Sequence, residues 1–180
     1  SALGNDIPLS EGKVKGYRNF ANKIWNSARF VIDFGEEERK KMNEESGKEL
    51  KGLKSYPELY KLSVYSGQFA EKIDELMKQV SEDEVSVKIL GRVKELRQLV
   101  TDSIERYRFN DAAEALYEFY WHEFCDNYIE YAKDRREVTQ PVLEFVLKSS
   151  MELLHPFMPF VTEEVWQKLP HEGKSISVVE

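Results

Sequence analysis

The chain has 180 residues, a formal net charge of −7 and 41% hydrophobic residues, which is enough apolar material for one folded domain with a continuous core. The acidic balance excludes a protein that coats nucleic acid over its whole surface, because such proteins are basic throughout, so any nucleic-acid contact must be local. The single cysteine, Cys125, excludes an intramolecular disulfide and a cysteine-based metal cluster, and it favours a reducing, cytoplasmic setting.

The first predicted helix follows an irregular lead. Residues 1–12 predict no regular element, because Gly4, Pro8 and Gly12 interrupt any periodic pattern. In residues 14–34, apolar side chains recur at steps of three and four, which predicts an amphipathic helix. The positions expected to face the core are Val14, Tyr17, Ala21, Ile24, Ala28 and Val31.

The opposite face of this helix carries amide and basic side chains in place of the usual glutamate and lysine. It collects Arg18, Asn22, Asn26 and Arg29, with Lys23 and Phe30 beside them. Asparagine has a poor helix propensity, so its repeated use indicates a function. Amides donate and accept hydrogen bonds as base edges require, arginine binds phosphates or stacks, and phenylalanine stacks, which favours unpaired RNA over duplex DNA. The alternative is a polar outer face used for caps and interhelical hydrogen bonds.

A charged stretch comes next. Twelve of the nineteen residues from 36 to 54 are charged, with nearly balanced signs, which predicts a solvated helix or a mobile loop. Residues 55–86 show a weaker helical pattern and predict one or two short helices. Their expected core contacts are Leu59, Leu62, Phe69, Ile73, Leu76, Met77 and Val80.

Residues 87–106 predict a longer helix, followed by a turn at residues 107–110. Its inner positions are Val93, Leu96, Leu99, Val100, Ser103, Ile104 and Tyr107. Asp111 and Glu114 have the spacing of a capping box and predict the start of a long aromatic helix that runs to about Arg135. The side chains expected to be buried in it are Leu116, Phe119, Tyr120, Phe124, Tyr128 and Ile129.

Two further helices complete the prediction. Pro141 is expected in the first turn of the next helix, and His155 with Pro156 should end it. Thr162 is expected to cap a short final helix. The side chains expected to face the core are Val142, Phe145, Val146, Leu153, Leu154, Trp166 and Leu169. These elements together predict an all-α fold, an antiparallel helical bundle.

The residues predict neither a catalytic nor a metal site. Glu152 and His155 have the Glu-x-x-His spacing of di-iron bundles, but such sites need a second copy. Cys125 lies in an aromatic helix without a partner base, which favours a buried structural thiol over a nucleophile. No glycine-rich phosphate loop of either standard form occurs. No apolar run approaches the ~20 residues of a membrane-spanning helix, so no membrane partner is expected.

Three segments are recognisable together. They are GYRNFANKIWNSARF (16–30), YRFNDAAEALYEFYWHEFCDNYIEYAK (107–133) and LLHPFMPFVTEEVWQKLP (153–170). They resemble valyl-tRNA synthetases, in particular the helical anticodon-binding domain that follows the catalytic domain in the class I valyl, isoleucyl and leucyl enzymes. The chain departs from this family at residues 36–88, which are longer and more charged than the usual connection.

The resemblance implies a fold and a division of the chain. The fold would be an antiparallel helical bundle of the class I synthetase anticodon-binding type, over residues 13–170, with a charged insert at about 36–88. Residues 1–12 would be the remnant of a linker from the catalytic domain, and residues 171–180 a C-terminal linker. The signature motifs of the catalytic domain are missing, so this chain alone is not expected to be active.

The resemblance also implies a function. The domain would recognise the anticodon arm of valine tRNA and so support ATP-dependent charging by a full-length valine–tRNA ligase. Its partners would be the anticodon stem-loop and the catalytic domain of the same polypeptide, with no DNA. No cofactor is expected in this domain, whereas ATP and magnesium are expected for the full-length enzyme. Two alternatives stay open: an isoleucyl-type anticodon domain, and a helical protein-interaction module that docks a partner through residues 36–54.

The first of the three segments is where the family meets the anticodon loop. The residues that match are Asn22, Lys23, Asn26, Arg29 and Phe30, and Arg18 is a further candidate for phosphate contact. By resemblance, Phe30 would stack on an unpaired base, Asn22 and Asn26 would read base edges, and the three basic side chains would hold phosphates. For Trp121, Cys125, Asp126 and Tyr128, helix packing within a buried polar network is favoured over RNA contact.

Overall fold

The computed structural model describes residues 11–44 and 56–176, and every regular element within these ranges is helical. The elements are α1 (Glu11–Glu44), α2 (Pro57–Lys61), α3 (Phe69–Gln79), α4 (Glu84–Glu105), α5 (Phe109–Glu118), a π-helical segment (Phe119–Ile129), α6 (Glu130–Ala132), α7 (Arg136–Leu154) and α8 (Pro159–Gln167). Among the described residues, no helix is both long enough and apolar enough to cross a lipid bilayer. The predicted all-α fold is confirmed.

Helix α1 is longer than the sequence predicts. It takes in Glu11 and Gly12, and it continues through residues 36–44 of the charged stretch, so that part is a helix rather than a loop. Residues 1–10 and 45–55 lie outside the described part of the chain. The division into a domain with two linkers and a charged insert stays a prediction.

The core-facing side of α1 differs from the prediction near its start. The residues buried as predicted are Ile24, Ala28 and Val31. Tyr17 is 52% exposed, and the prediction for it was wrong, because Phe20 fills the space against α5 instead. The Phe20 ring packs edge-on against Tyr117, with 4.9 Å between the ring centroids. The side chain of Val14 lies outside the described residues.

The middle of the chain forms the two short helices α2 and α3, followed by α4. All seven predicted contact positions of residues 55–86 are buried or half-buried. In α4, Leu99 was wrongly placed in the core, since it lies on the outer side and is 46% exposed. Tyr107 was also wrong, because it lies beyond the end of α4 in a turn with a φ of 58°, and it is 83% exposed.

The aromatic helix begins two residues earlier than predicted. It starts at Phe109, and no side chain caps it. Asp111 does not act as a cap because its carboxylate accepts a hydrogen bond from Arg108 at 2.6 Å. The helical run ends at Ala132, short of the predicted Arg135. The side chains buried as predicted are Leu116, Phe119, Tyr120, Phe124, Tyr128 and Ile129.

Helix α7 lies at the centre of the bundle. Every residue from Thr139 to Leu154 is buried, which is typical of a helix surrounded by others. The helix begins at Arg136, so Pro141 lies inside it and not in its first turn. That prediction was wrong because the turn after α6 is only a few residues long. The helix ends at Leu154, directly before His155 and Pro156, as predicted.

Helix α8 also begins earlier than predicted. Its first residue is Pro159, a residue suited to the first turn of a helix because it lacks an N–H to satisfy. Thr162 therefore lies inside the helix, and its hydroxyl donates to the Met158 carbonyl at 2.7 Å, so its predicted role as a cap was wrong. Trp166 and Leu169 are buried, as predicted.

Helix α4 packs against the aromatic helical run that follows it. Ser86 and Tyr128 have their hydroxyl oxygens 2.7 Å apart, and Arg92 donates to Glu123 at 2.8 Å. As residue numbers rise along α4, they fall along the aromatic run, so the two helices are antiparallel. This pairing agrees with the predicted antiparallel bundle.

Helix α1 instead runs parallel to α5 and the π-helical segment. Phe20 contacts Tyr117, and Lys23 contacts Asp126 further along both helices. The polar face of α1 therefore lies beside the outer side of the π-helical segment, and the two together form one surface.

Candidate nucleic-acid interface

The polar face predicted on α1 is open to solvent. Arg18, Asn22, Asn26 and Arg29, called here the amide face, are all on the solvent side of the helix. Within the part of the chain that the structure describes, neither asparagine side chain has a hydrogen-bond partner. Their contacts therefore do not support the alternative use as caps or interhelical bridges. Both amides can donate to and accept from a ligand.

Lys23 borders the amide face and is engaged with the π-helical segment. Its ammonium donates to Asp126 at 3.2 Å and lies 5.1 Å from the ring centroid of Trp121. Asp126 also lies 3.2 Å from Nδ1 of His122. Partial desolvation raises the pKa of Asp126, but the hydrogen bonds from Lys23 and His122 outweigh it, so that this pKa lies below the ordinary value. The carboxylate is ionised at neutral pH and competes for Lys23.

Phe30 is less open than its place beside the amide face predicts. The ring is half-buried and packs against the hydrophobic core. The guanidinium carbon of Arg136 lies 3.7 Å from its centroid, and the same guanidinium lies 4.8 Å from the ring of Phe34. A base that stacks on Phe30 from that side meets Arg136 first.

A second basic group lies beside Phe30. The turn between α6 and α7, with the first residue of α7, carries Lys133, Arg135 and Arg136, called here the basic turn. The Lys133 ammonium lies 5.9 Å from the Phe30 ring centroid and pairs with Glu130 at 2.6 Å. Sequence reasoning missed this group. The string KDRR was a signal of positive charge, but nothing local connects it to α1.

The π-helical segment forms the border of the surface beside Lys23. Long π-helices are rare, and π-helical turns are frequent at functional sites. Trp121 stacks on Phe20 with 6.2 Å between ring centroids. Cys125 and Tyr128 are buried, and burial raises the pKa of the Cys125 thiol to about 11. The side chains of Trp121, Cys125 and Tyr128 pack between helices, as predicted. Asp126 is 44% exposed and does not belong to a buried network.

The pair considered for a metal site has other partners. Glu152 is buried and accepts hydrogen bonds from Lys148 at 2.7 Å and from the Ser63 hydroxyl at 2.8 Å. Nδ1 of His155 lies 2.9 Å from the Thr162 hydroxyl. Across residues 11–44 and 56–176, no group of three or more His, Cys, Asp or Glu residues is arranged to hold a metal ion.

The sequence of this chain is similar to those of known tRNA ligases. The sequence model of the family described as "Anticodon-binding domain of tRNA ligase" matches residues 87–180. A valine–tRNA ligase of Pseudothermotoga lettingae is 41% identical over 99% of this chain. Valine–tRNA ligases of Listeria monocytogenes and Thermotoga maritima are 41% and 40% identical over 100% and 99% of it. The chain spans only 17 to 18% of the length of these relatives.

Proposed function

Because this chain belongs to the anticodon-binding domains of tRNA ligases, we propose that it binds the anticodon arm of valine tRNA within a valine–tRNA ligase. The catalytic part of that larger polypeptide would use ATP and magnesium to activate valine and charge the tRNA. This chain would supply recognition of the tRNA and no step of the chemistry. A cytoplasmic location is part of the proposal.

The observation that carries the proposal is the state of the amide face. Asn22 and Asn26 lie on the solvent side of a helix, where asparagine is unfavourable, and they have no partner among the described residues. Groups that both donate and accept hydrogen bonds suit the Watson–Crick edges of unpaired bases. We therefore assign base reading to these two amides.

The aromatic and basic side chains around the amide face support the same ligand. Phe30 would contribute to the stacking of an unpaired base, and Arg18, Lys23 and Arg29 would hold phosphates. Arg18 and Arg29 are exposed, whereas Lys23 must first leave Asp126. Lys133 and Arg136, the two members of the basic turn that contact Phe30, extend positive charge past this ring. A chain with a net charge of −7 thus presents a local basic surface, as recognition of one RNA element requires.

Two alternatives are not favoured by the relatives. All three relatives described above are named valine–tRNA ligases, which supports valine over isoleucine. A protein-interaction module would not need unpartnered amides beside an aromatic ring and several cations. Binding that survives RNase and high salt would instead identify a protein partner, since RNA binding by counterion release weakens steeply with salt.

The proposal is tested by titrating the 180-residue chain with a valine anticodon stem-loop and with the same stem-loop carrying a different middle anticodon base. The measurement is made at low and at moderate salt. We expect tighter binding of the valine loop at both salt concentrations. Equal binding of the two loops that disappears with salt would contradict anticodon recognition by this chain and leave only electrostatic attraction.

A matched pair of lysine variants separates the site from general charge. Lys23→Ala should weaken binding of both loops alike and reduce the dependence of affinity on salt, as expected for a phosphate contact. Lys78→Ala removes an exposed lysine on α3, away from the amide face, and should leave both affinities unchanged. Equal effects of the two variants would place the RNA elsewhere on the chain.

A further inference from the structure

Arg136 occupies the position at which a base would approach Phe30. Its guanidinium carbon lies 3.7 Å from the centroid of the Phe30 ring, well within the ~6 Å of a cation–π contact. Phe30 also packs against the hydrophobic core, so only part of the ring is open to a ligand. Direct stacking of a base on this side of Phe30 would require Arg136 to leave.

The same guanidinium is held by a second ring. It lies 4.8 Å from the centroid of Phe34, one turn further along α1. Two aromatic contacts hold the planar group against α1 and reduce the entropy that it would lose on binding a ligand. In residues 11–44 and 56–176, no carboxylate forms a salt bridge with Arg136, so its N–H groups are available for a phosphate or a base edge.

We infer that Arg136 is itself a stacking residue of the RNA site, and that an unpaired anticodon base, the Arg136 guanidinium and the Phe30 ring form a three-layer stack. This inference rests on the proposed function. Guanidinium planes are among the groups on which unpaired RNA bases stack, and their edges can donate to phosphate at the same time. Phe30 then acts through Arg136, as the support that holds it flat.

The neighbouring arginine offers a matched comparison. Arg135 carries the same charge one residue earlier, but its guanidinium lies over Tyr131, 4.5 Å from the ring centroid, and donates to the Tyr131 carbonyl at 3.2 Å. Its guanidinium is thus directed to a different ring from that of Arg136. Replacing either arginine with lysine keeps the positive charge and removes the planar group.

The test compares Arg136→Lys with Arg135→Lys in the 180-residue chain, using the valine anticodon stem-loop. Loss of a stacked base contact corresponds to about a tenfold drop in affinity, which we expect for Arg136→Lys with an unchanged dependence on salt. Arg135→Lys should have little effect. Equal effects of the two variants, or tighter binding by Arg136→Lys, would overturn the inference, the latter because Arg136 would then be an obstacle in front of Phe30.

A second readout changes the RNA and introduces no further protein variant. The base at each anticodon position is removed in turn, leaving an abasic sugar. At the stacked position, the unaltered chain and Arg136→Lys should bind the abasic loop equally. If the tenfold difference between them persists at every position, Arg136 acts on phosphate and not on a base. If the unaltered chain does not prefer the valine loop, the proposed function is wrong. If it prefers the valine loop but Arg136→Lys binds that loop equally tightly, only the inference about Arg136 is wrong.

Discussion

Lys23 of α1 and Asp126 of the π-helical segment are 103 residues apart in sequence and form a hydrogen-bonded ion pair of 3.2 Å. The pair places an ionised carboxylate next to a lysine that we expect to hold a phosphate. RNA that approaches Lys23 must displace Asp126 and is repelled by its charge. Asp126 therefore limits the affinity of this surface for any RNA, and the amide face and stacking residues must supply the rest.

We expect Asp126→Asn to increase the affinity of the chain for all RNAs. An exposed ion pair is worth ~0.2–1 kcal/mol, so freeing Lys23 should strengthen binding by up to about fivefold. The change should shrink as salt is raised. Fluorescence anisotropy with the valine anticodon stem-loop and with an unrelated stem-loop measures both effects.

The control for this prediction is Asp74→Asn. Asp74 also accepts from a lysine, Lys94, at 2.8 Å, but it lies on α3, away from the amide face. This variant makes the same change in net charge and should leave RNA affinity nearly unchanged. If both variants increase affinity equally, the gain comes from net charge, and Asp126 has no special place beside the RNA.

We expect Phe30→Ala to weaken binding of the valine anticodon loop selectively. Loss of the aromatic support for a stacked base should cost ~1–3 kcal/mol, or roughly 5- to 150-fold in affinity. The control is Phe160→Ala, which removes a ring that is 87% exposed on α8. Calorimetric titration of both variants with the valine loop, and with the loop that carries a different middle base, measures this selectivity. An unchanged affinity for Phe30→Ala would remove this residue from the site.

Two glycines of α1 should respond in opposite directions to alanine. A Cβ atom on Gly35 would collide with the Glu144 carboxylate and come within 2.8 Å of Nε2 of Gln140, both buried and hydrogen-bonded to each other. Overpacking of this kind costs about 1–3 kcal/mol, so Gly35→Ala should lower the free energy of unfolding. A Cβ atom on Gly16 meets nothing within 4 Å.

Gly16→Ala should accordingly raise the free energy of unfolding by roughly 0.5–1 kcal/mol, the usual gain for alanine over glycine in a helix. Urea unfolding followed by circular dichroism measures both variants under the same conditions. A stabilising effect of Gly35→Ala would mean that the side chains of α7 move aside at little cost and that the contact between α1 and α7 is loose.

In α7, the buried ion pair should stabilise the fold only when both charges are present. Lys148 donates to Glu152 at 2.7 Å and to the Leu62 carbonyl at 2.7 Å, and both charged side chains are almost fully buried. Lys148→Met would leave the Glu152 carboxylate without its counter-charge and should cost about 3–5 kcal/mol of stability.

Adding Glu152→Gln should recover part of that loss, since the second change removes the uncompensated charge. The oxygen of the introduced amide could still accept from the Ser63 hydroxyl, which donates to the Glu152 carboxylate in the unaltered chain. Thermal and urea unfolding of the two single variants and the double variant form a double-mutant cycle. Losses that simply add would show that Lys148 and Glu152 do not depend on each other.

Stability should fall at high pH because of Cys125. Burial raises the pKa of its thiol from about 9 to about 11, so the folded chain holds this proton more tightly than the unfolded chain. The contribution of the protonated thiol to the free energy of unfolding is therefore complete below pH 9. It is lost as the pH rises to 11, by on the order of 2–3 kcal/mol. Cys125→Ala should flatten the pH profile of the free energy of unfolding between pH 9 and pH 10, before the buried tyrosines begin to ionise in the unfolded chain.

Tyr65 provides the comparison for this profile. Burial and the nearby charge of Glu152 raise the pKa of Tyr65 from 10 to about 12, so its own contribution is lost between about pH 10 and pH 12. Tyr65→Phe should keep the slope that Cys125 causes between pH 9 and pH 10, below the ordinary pKa of tyrosine. An identical profile for Cys125→Ala and the unaltered chain would show that the thiol is not buried in solution.

Helix periodicity allowed the elements and most of the core to be predicted. In α4, Val93, Leu96 and Val100 are buried as their spacing predicts, because a helical repeat depends only on neighbouring residues. The helix starts were predicted less well. Asp111 and Thr162 both have the chemistry of caps, yet each bonds a different partner, and a cap depends on where the preceding turn places the chain.

The chemistry of the amide face could likewise be predicted from the chain, since its residues lie within a few turns of one helix. The residues that surround the amide face could not be predicted in this way. Arg136 reaches Phe30, and Asp126 reaches Lys23, only because α1 packs parallel to the π-helical segment and beside the start of α7. Ion pairs and ring stacking act over a few ångströms, whereas the residues that form them are distant in sequence. The type of ligand is thus encoded locally, but the accessibility of each contact depends on the packing of the helices.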